Sequence, residues 1–193
     1  CCVLFATANF DARQLKAAGV TAEEFKDAGF NAAQLKTVGF TLEELKVARC
    51  DVEQLKVAGH SALELADAGF SAQELDAAGF GPRQLKVAGF DAWSIKDIGY
   101  GPRQLKTVGF SALELKAAGC TAAELKAVGF DAGQLRRSGF GATELGPSQA
   151  NFDARQLMAG GFDPGALWRA GFSPSQLRGI GCTAAELREA GMS

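Results

Sequence analysis

Few residues in this chain are of types that do chemistry, and their spacing argues against it. Five cysteines (Cys1, Cys2, Cys50, Cys120 and Cys182) are scattered without a CxxC pair, so they spell neither a zinc pattern nor a disulfide framework. The single histidine, His60, stands without a partner at metal-ligand or catalytic spacing. No nucleophile, base and orienting group can be assembled, and no glycine-rich phosphate loop is present. The expectation is a non-enzymatic chain with no catalytic residue, no cofactor and no metal. Cys50, Cys120, Cys182 and His60 all fall in a slot that elsewhere holds Phe. Buried cysteine behaves as a small hydrophobe, and that is the reading for these three.

Lysine recurs every ten residues at Lys16, Lys26, Lys36, Lys46 and Lys56, and again from Lys86 to Lys126, with Arg136 following. Such a row could hold phosphates or acidic peptides. The plainer reading is a solvated face whose cations sit near helix C-termini, where the macrodipole is negative. Net charge is −2, so there is no broad basic field for nucleic acid or an anionic membrane. Modular RNA readers need exposed stacking aromatics and a coded pair of side chains, which do not recur here. No apolar run approaches the ~18 residues that span a bilayer, and no signal-peptide pattern opens the chain. It begins at Cys1 rather than Met, which reads as a processed form or a fragment.

Positioning falls to a ten-residue repeat. Residues 11–140 divide into thirteen decapeptides without insertion, residues 141–152 form a twelve-residue copy, and four more decapeptides run to 192. Residues 1–10 fit as a worn first copy, for nineteen units in all. From the second unit on, the first position is always Ser, Thr, Asp, Asn or Gly, the preferred N-cap types. Of eight Ser/Thr caps, seven have Glu three residues later, which spells a capping box. The six Asp caps are never followed by Glu there, as expected if the two side chains meet and like charges repel. Proline stands at the second position in Pro82, Pro102, Pro164 and Pro174, where a helix needs no N–H. The ninth position is Gly in sixteen units and Asn in two more, types that accept the left-handed conformation ending a helix. Arg49 is the awkward exception, with an expected local cost in stability.

The tenth position, Phe in twelve units, is C″ of one helix and N′ of the next. One ring can therefore latch two fifth-position leucines, as Phe110 would latch Leu105 and Leu115 across Gly109, with Gly119 closing the following helix. Positions two, five and eight share one side of the helical wheel and carry Ala/Pro, Leu and Ala/Val. So short a helix is unstable alone and must stack on its neighbours. The expected fold is an all-α solenoid of about nineteen two-turn helices. A weak alternation of cap types favours two helices per coil. In this register Leu105→Asp should destroy cooperative melting, whereas Lys106→Ala should hardly matter.

Breaks in the pattern mark candidate contacts. The copy at 141–152 carries Gly146-Pro147, so its helix should end early in a kink or loop, as a joint, a partner contact or equally a neutral insertion, between runs at 1–140 and 153–193. After it the lysine position becomes Met158 and then Trp168, expected to be exposed and adjacent in the stack. Trp93 takes an exposed third position, with Tyr100 closing its unit. Exposed aromatics and Met favour protein interfaces; the alternative for Met158, Trp168 and Trp93 is packing along a neighbouring helix.

The unit G-F-[ST]-A-x-E-L-K-x-A, seen at 109–118 and more loosely at 119–128, resembles the uncharacterised decapeptide repeats of algal and protist proteins. The resemblance covers nearly the whole chain and implies helical-repeat architecture. The functional expectation is a scaffold or linker that binds other proteins, with a soluble peptide-binding adaptor as the alternative and nucleic-acid binding behind both. The apolar ends, Cys1 to Phe5 and Met192, favour a linker whose ends are covered by partners or by further sequence. An intracellular or organellar setting fits the unpaired cysteines better than secretion.

Overall fold

The chain is seen in a computed structural model that describes residues 11–191. The first decapeptide and Met192 lie outside the described residues, and with them Cys1 and Cys2. Every regular element among those described is a helix, and there are eighteen. The chain divides into two compact units, the first ending at Phe90 and the second beginning at Asp91.

The first unit holds α1 (Ala12–Ala17), α2 (Ala22–Asp27), α3 (Ala32–Val38), α4 (Leu42–Val47), α5 (Val52–Val57), α6 (Ala62–Asp67), α7 (Ala72–Ala77) and α8 (Pro82–Val87). The second holds α9 (Ala92–Asp97), α10 (Pro102–Thr107), α11 (Ala112–Ala117), α12 (Ala122–Ala127) and α13 (Ala132–Arg137). It continues with α14 (Ala142–Leu145), α15 (Ala154–Ala159), α16 (Pro164–Arg169), α17 (Pro174–Gly179) and α18 (Ala184–Glu189).

Each decapeptide forms its helix as its caps dictate. In α12, the Glu124 amide donates to the Thr121 hydroxyl, and the Thr121 amide donates to the Glu124 carboxylate at 2.7 Å. The other end closes by the Schellman pattern: in the unit of α10, the Phe110 amide donates to the Leu105 carbonyl and Gly109 donates to Lys106. Gly109 has φ 92° and Gly119 φ 74°, so both occupy the left-handed region. Arg49 holds the same conformation at φ 53°. A Cβ there costs on the order of 1 kcal/mol, so Arg49→Gly should raise the melting midpoint of the chain; an unchanged or lowered midpoint in calorimetry would contradict this.

Within each unit the helices stack next but one. In the first, α2 packs on α4, α3 on α5 and α6 on α8; in the second, α9 packs on α11, α13 on α15 and α14 on α16. Two helices therefore make one coil, and odd and even helices form two rows. The fifth-position side chains fill the interior: from Phe25 to Leu135 each of them is 0% exposed. At roughly 1.5–3 kcal/mol for each fully buried side chain of this size, this column is the main stabilising term. Phe110 is also buried at 4% exposed, beside Leu105 and Leu115 at 0%.

The twelve-residue copy forms a loop and keeps its latch. Helix α14 stops at Leu145, and Gly146 turns extended at φ −69°, ψ −174°. Pro147 to Gln149 are exposed in the turn that follows. The Phe152 amide still donates to the Leu145 carbonyl at 2.9 Å, the same closure as elsewhere but two residues longer. Asn151 takes the left-handed position at φ 54°. Stacking continues past the loop, with α12 on α14 and α14 on α16.

Candidate functional site

The lysine row is not a free cationic face. The Lys36 ammonium donates to the carbonyls of Ala58 and Gly59, Lys46 to those of Ala68 and Gly69, and Lys56 to those of Ala78 and Gly79. In the second unit Lys96 reaches Ala118 and Gly119, Lys106 reaches Val128, and Lys116 reaches Gly139. Lys126 reaches Asn151, so the pairing also passes the loop. Each ammonium thus neutralises the C-terminal carbonyls of the helix two further on, groups that no helix satisfies internally. In the units that end in Phe130 and Phe140 the same nitrogen also lies over the ring: Lys106 is 4.3 Å from the Phe130 centroid and Lys116 is 4.2 Å from that of Phe140.

This overturns the expectation that Lys106→Ala is silent. The substitution removes a charged hydrogen bond and a cation–π contact, together about 1–2 kcal/mol at a half-exposed site. Lys106→Met, which keeps much of the stem, should fall between alanine and wild type in a thermal melt. Equal midpoints for all three would restore the solvated-face reading.

His60 occupies the aromatic slot above α5 and is 8% exposed, with both ring nitrogens lacking a hydrogen-bond partner. Burial and the Lys36 ammonium hold its pKa below the ordinary value, against a weaker opposite pull from Glu64. The folded state therefore binds its proton less readily than the unfolded chain does. Its contribution is whole above the unfolded imidazole pKa of about 6.5 and is lost as pH falls through the lower folded value. His60→Phe should flatten stability against pH in that window. The capping glutamates act at lower pH: the N-cap amide of Ser71, and then its hydroxyl, lower the pKa of Glu74, and Glu124 is held likewise by Thr121. Their stabilisation is present above the ordinary carboxylate pKa and is lost as pH falls through the depressed one.

Cys50, Cys120 and Cys182 are buried free thiols whose pKa burial raises, which makes them poor nucleophiles. Among the described residues no group of three or more His, Cys, Asp or Glu could hold a metal ion, and no helix is long and apolar enough to cross a membrane.

The candidate contact residues are spread over α9, α15, α16 and the loop after α14. Trp93 is 60% exposed on α9, and Tyr100 is half-buried after it. Trp168 is 41% exposed on α16, but Met158 on α15 is half-buried rather than exposed. Stacking links α13 with α15 and α14 with α16, so Met158 and Trp168 stand in different rows, although α15 and α16 also touch each other. The sixth position faces the helix two further on, which is why a side chain there is partly covered. Pro147 is exposed in its loop.

Sequence reasoning missed other outward residues. Leu63 and Leu113 at the third position are 47% and 60% exposed. Val47, Val57 and Val87 at the seventh are 78%, 82% and 72% exposed. The available signal was an apolar side chain outside the two-five-eight stripe. Trp93 and Leu113 share the third position on stacked helices α9 and α11.

Between stacked helices runs a shallow, open groove that recurs along both units. Between α2 and α4 it measures about 440 Å³ and is edged by Glu23, Glu43 and Val47. Between α3 and α5 Glu53 and Val57 take the same places. Between α13 and α15 it widens to about 720 Å³ beside Gly133 and Arg137, and between α16 and α18 it is lined by Gly165 and Arg169. Charged groups stand in them: Lys16 and Glu44 pair at 3.0 Å in the first, and Asp163, Arg169, Glu186 and Glu189 line the last.

The family model described as the decapeptide repeat region matches residues 5–52, 19–92, 89–164 and 119–193. Comparison with curated proteins and with solved structures found no match.

Proposed function

As the chain belongs to the decapeptide repeat family, we propose that it is a non-catalytic scaffold or linker that binds other proteins along its helical-repeat surface within a larger assembly. The observation that carries this is a division of labour within the repeat. The recurring polar groups are used internally: lysines cap carbonyls, and Ser, Thr, Asp, Glu and Gln side chains cap N-termini. What remains outward is positions three and seven, where residue type varies and large apolar side chains such as Trp93, Leu113 and Val57 stand in solvent. A repeated backbone with a variable outer surface suits recognition of proteins along its length. With its lysines committed, the surface offers little to a nucleic-acid backbone.

The test is size-exclusion chromatography of the tagged chain in native extract beside the purified chain. In extract it should elute with larger species and bring stoichiometric partner proteins through affinity capture. Trp93→Ser with Leu113→Ser should deplete those partners. Elution at the same volume in both samples would sink the proposal.

A further inference from the structure

In the first unit a lysine at position six is received two repeats on by a cradle of two carbonyls and a ring. Lys46 donates to the Ala68 and Gly69 carbonyls at 3.0 and 2.6 Å and stands 4.7 Å from the Phe70 ring centroid. Lys56 donates to the Ala78 and Gly79 carbonyls at 2.8 Å each and stands 4.7 Å from the centroid of Phe80. Helix-terminal carbonyls and an aromatic face both favour a cation.

The next repeat builds the same cradle from Ala88, Gly89 and Phe90, but the residue in the corresponding lysine position is Ala66. The backbone is unchanged. Ala88 has φ −72° and ψ 0°, Gly89 has φ 91°, and the Phe90 amide donates to the Leu85 carbonyl at 3.1 Å. Room is present as well. A Cβ on Gly69 would meet the Lys46 ammonium at 3.0 Å and one on Gly79 the Lys56 ammonium at 3.1 Å, whereas one on Gly89 would meet nothing within 4 Å. Phe70 and Phe80 are buried under their lysines, while Phe90 is half-buried. Losing the lysine does not by itself open a cradle. Gly146 also takes a lysine position, but there the backbone closes up: the Ala170 carbonyl lies 3.2 Å from where a Gly146 Cβ would stand, and Phe172 stays buried.

We propose that the cradle of Ala88, Gly89 and Phe90 binds the ammonium group of a lysine side chain on a partner protein. Two carbonyls suit a compact ammonium with several donors, as a lysine carries. They would hold a free amine only weakly. A protein brings further contact, and apolar surface for it stands close by in the same row. Val87 adjoins Ala88 and is 72% exposed, and Leu63, on the helix that packs against α8, is 47% exposed. The inference rests on the scaffold reading and names the chemistry of one contact, and its first test needs no partner.

That test is nuclear magnetic resonance of the purified chain, titrated with butylammonium chloride against sodium chloride at equal ionic strength. The Gly89 and Phe90 amide signals should shift several-fold more than those of Gly79 and Phe80. Tetramethylammonium, which donates no hydrogen bond, should shift them less. Ala66→Lys supplies the ammonium from within, so it should raise the melting midpoint and remove the response at Gly89 and Phe90. Lys56→Ala should do the reverse and make Gly79 and Phe80 respond. Equal shifts at the two cradles of the unsubstituted chain, or a response that survives Ala66→Lys, would overturn the inference. Affinity capture from native extract then distinguishes the sources of the amine. Ala66→Lys should retain several-fold less partner than the unsubstituted chain, and acetylating the lysines of the extract should have the same effect. Equal capture beside a positive titration would overturn the protein lysine in favour of a free amine. Capture of nothing by either form would end the scaffold reading and the protein lysine with it, while the titration still decides whether the cradle takes an ammonium.

Discussion

Leu105→Asp will abolish cooperative melting of the second unit. Leu105 is 0% exposed and supplies the carbonyl that closes its helix on Phe110. An aspartate there loses about 1.5–3 kcal/mol of apolar burial. It also places an unpaired carboxylate among apolar neighbours, a further cost of about 3–5 kcal/mol. The sum rivals the whole stability of a small domain, about 5–15 kcal/mol. A two-turn helix has no reserve of its own, so the loss passes to the helices stacked on it. Leu105→Ile, close in volume, should keep a single sharp transition. The two variants compared by calorimetry decide the matter: a sharp transition in both would show that the fifth position is not the core.

Gly160→Val will cost less than that but still a large share of a domain's stability, for a different reason. Gly160 lies at φ −73°, where any residue is comfortable, so backbone freedom does not require glycine. Space does. A Cβ would lie 2.9 Å from the carbonyl carbon and Cβ of Ala132 and from the Gly133 nitrogen, which are mostly backbone and cannot swing aside. The substitution must push α13 and α15 apart, with an expected loss of about 2–3 kcal/mol. Gly171→Ala is the control: its φ is 94° and nothing lies within 4 Å of the added carbon, so only backbone strain of about 1–2 kcal/mol applies. Hydrogen exchange localises the difference. Gly160→Val should lower amide protection in both α13 and α15, whereas Gly171→Ala should act around α16 alone. Equal effects would mean that the close approach does not hold these helices together.

Contacts within one repeat were legible from residue types. Thr121 and Glu124 meet as a capping box, Gly119 takes the left-handed turn, and Phe110 closes on Leu105 by the bond its position implies. Gly146-Pro147 ended its helix at Leu145. Contacts between repeats were less legible, and periodicity itself is the reason. When every tenth residue repeats, a lysine could lie against the next copy, the one after it or none, and the pattern reads alike in each case. Lys106 on Val128, twenty-two residues away, is such a contact. For Met158 the choice between an exposed contact and packing along a neighbouring helix stayed open for the same reason, because what covers the sixth position belongs to another copy. The outward apolar residues Val57 and Leu113 escaped because the inner stripe accounted for stability without them.

Stacking next but one makes the array sensitive to parity. Odd and even helices stand in separate rows within each unit. Duplicating a single decapeptide leaves every cap and latch intact and gives each lysine that spans it a new but equivalent partner, yet it transfers each downstream helix in that unit to the opposite row. Outward side chains that shared a side with those upstream would then face the other way. Duplication of two decapeptides lengthens the array and keeps each downstream side chain on its original side, so gains and losses of even number preserve the outer surface while odd ones rewrite it.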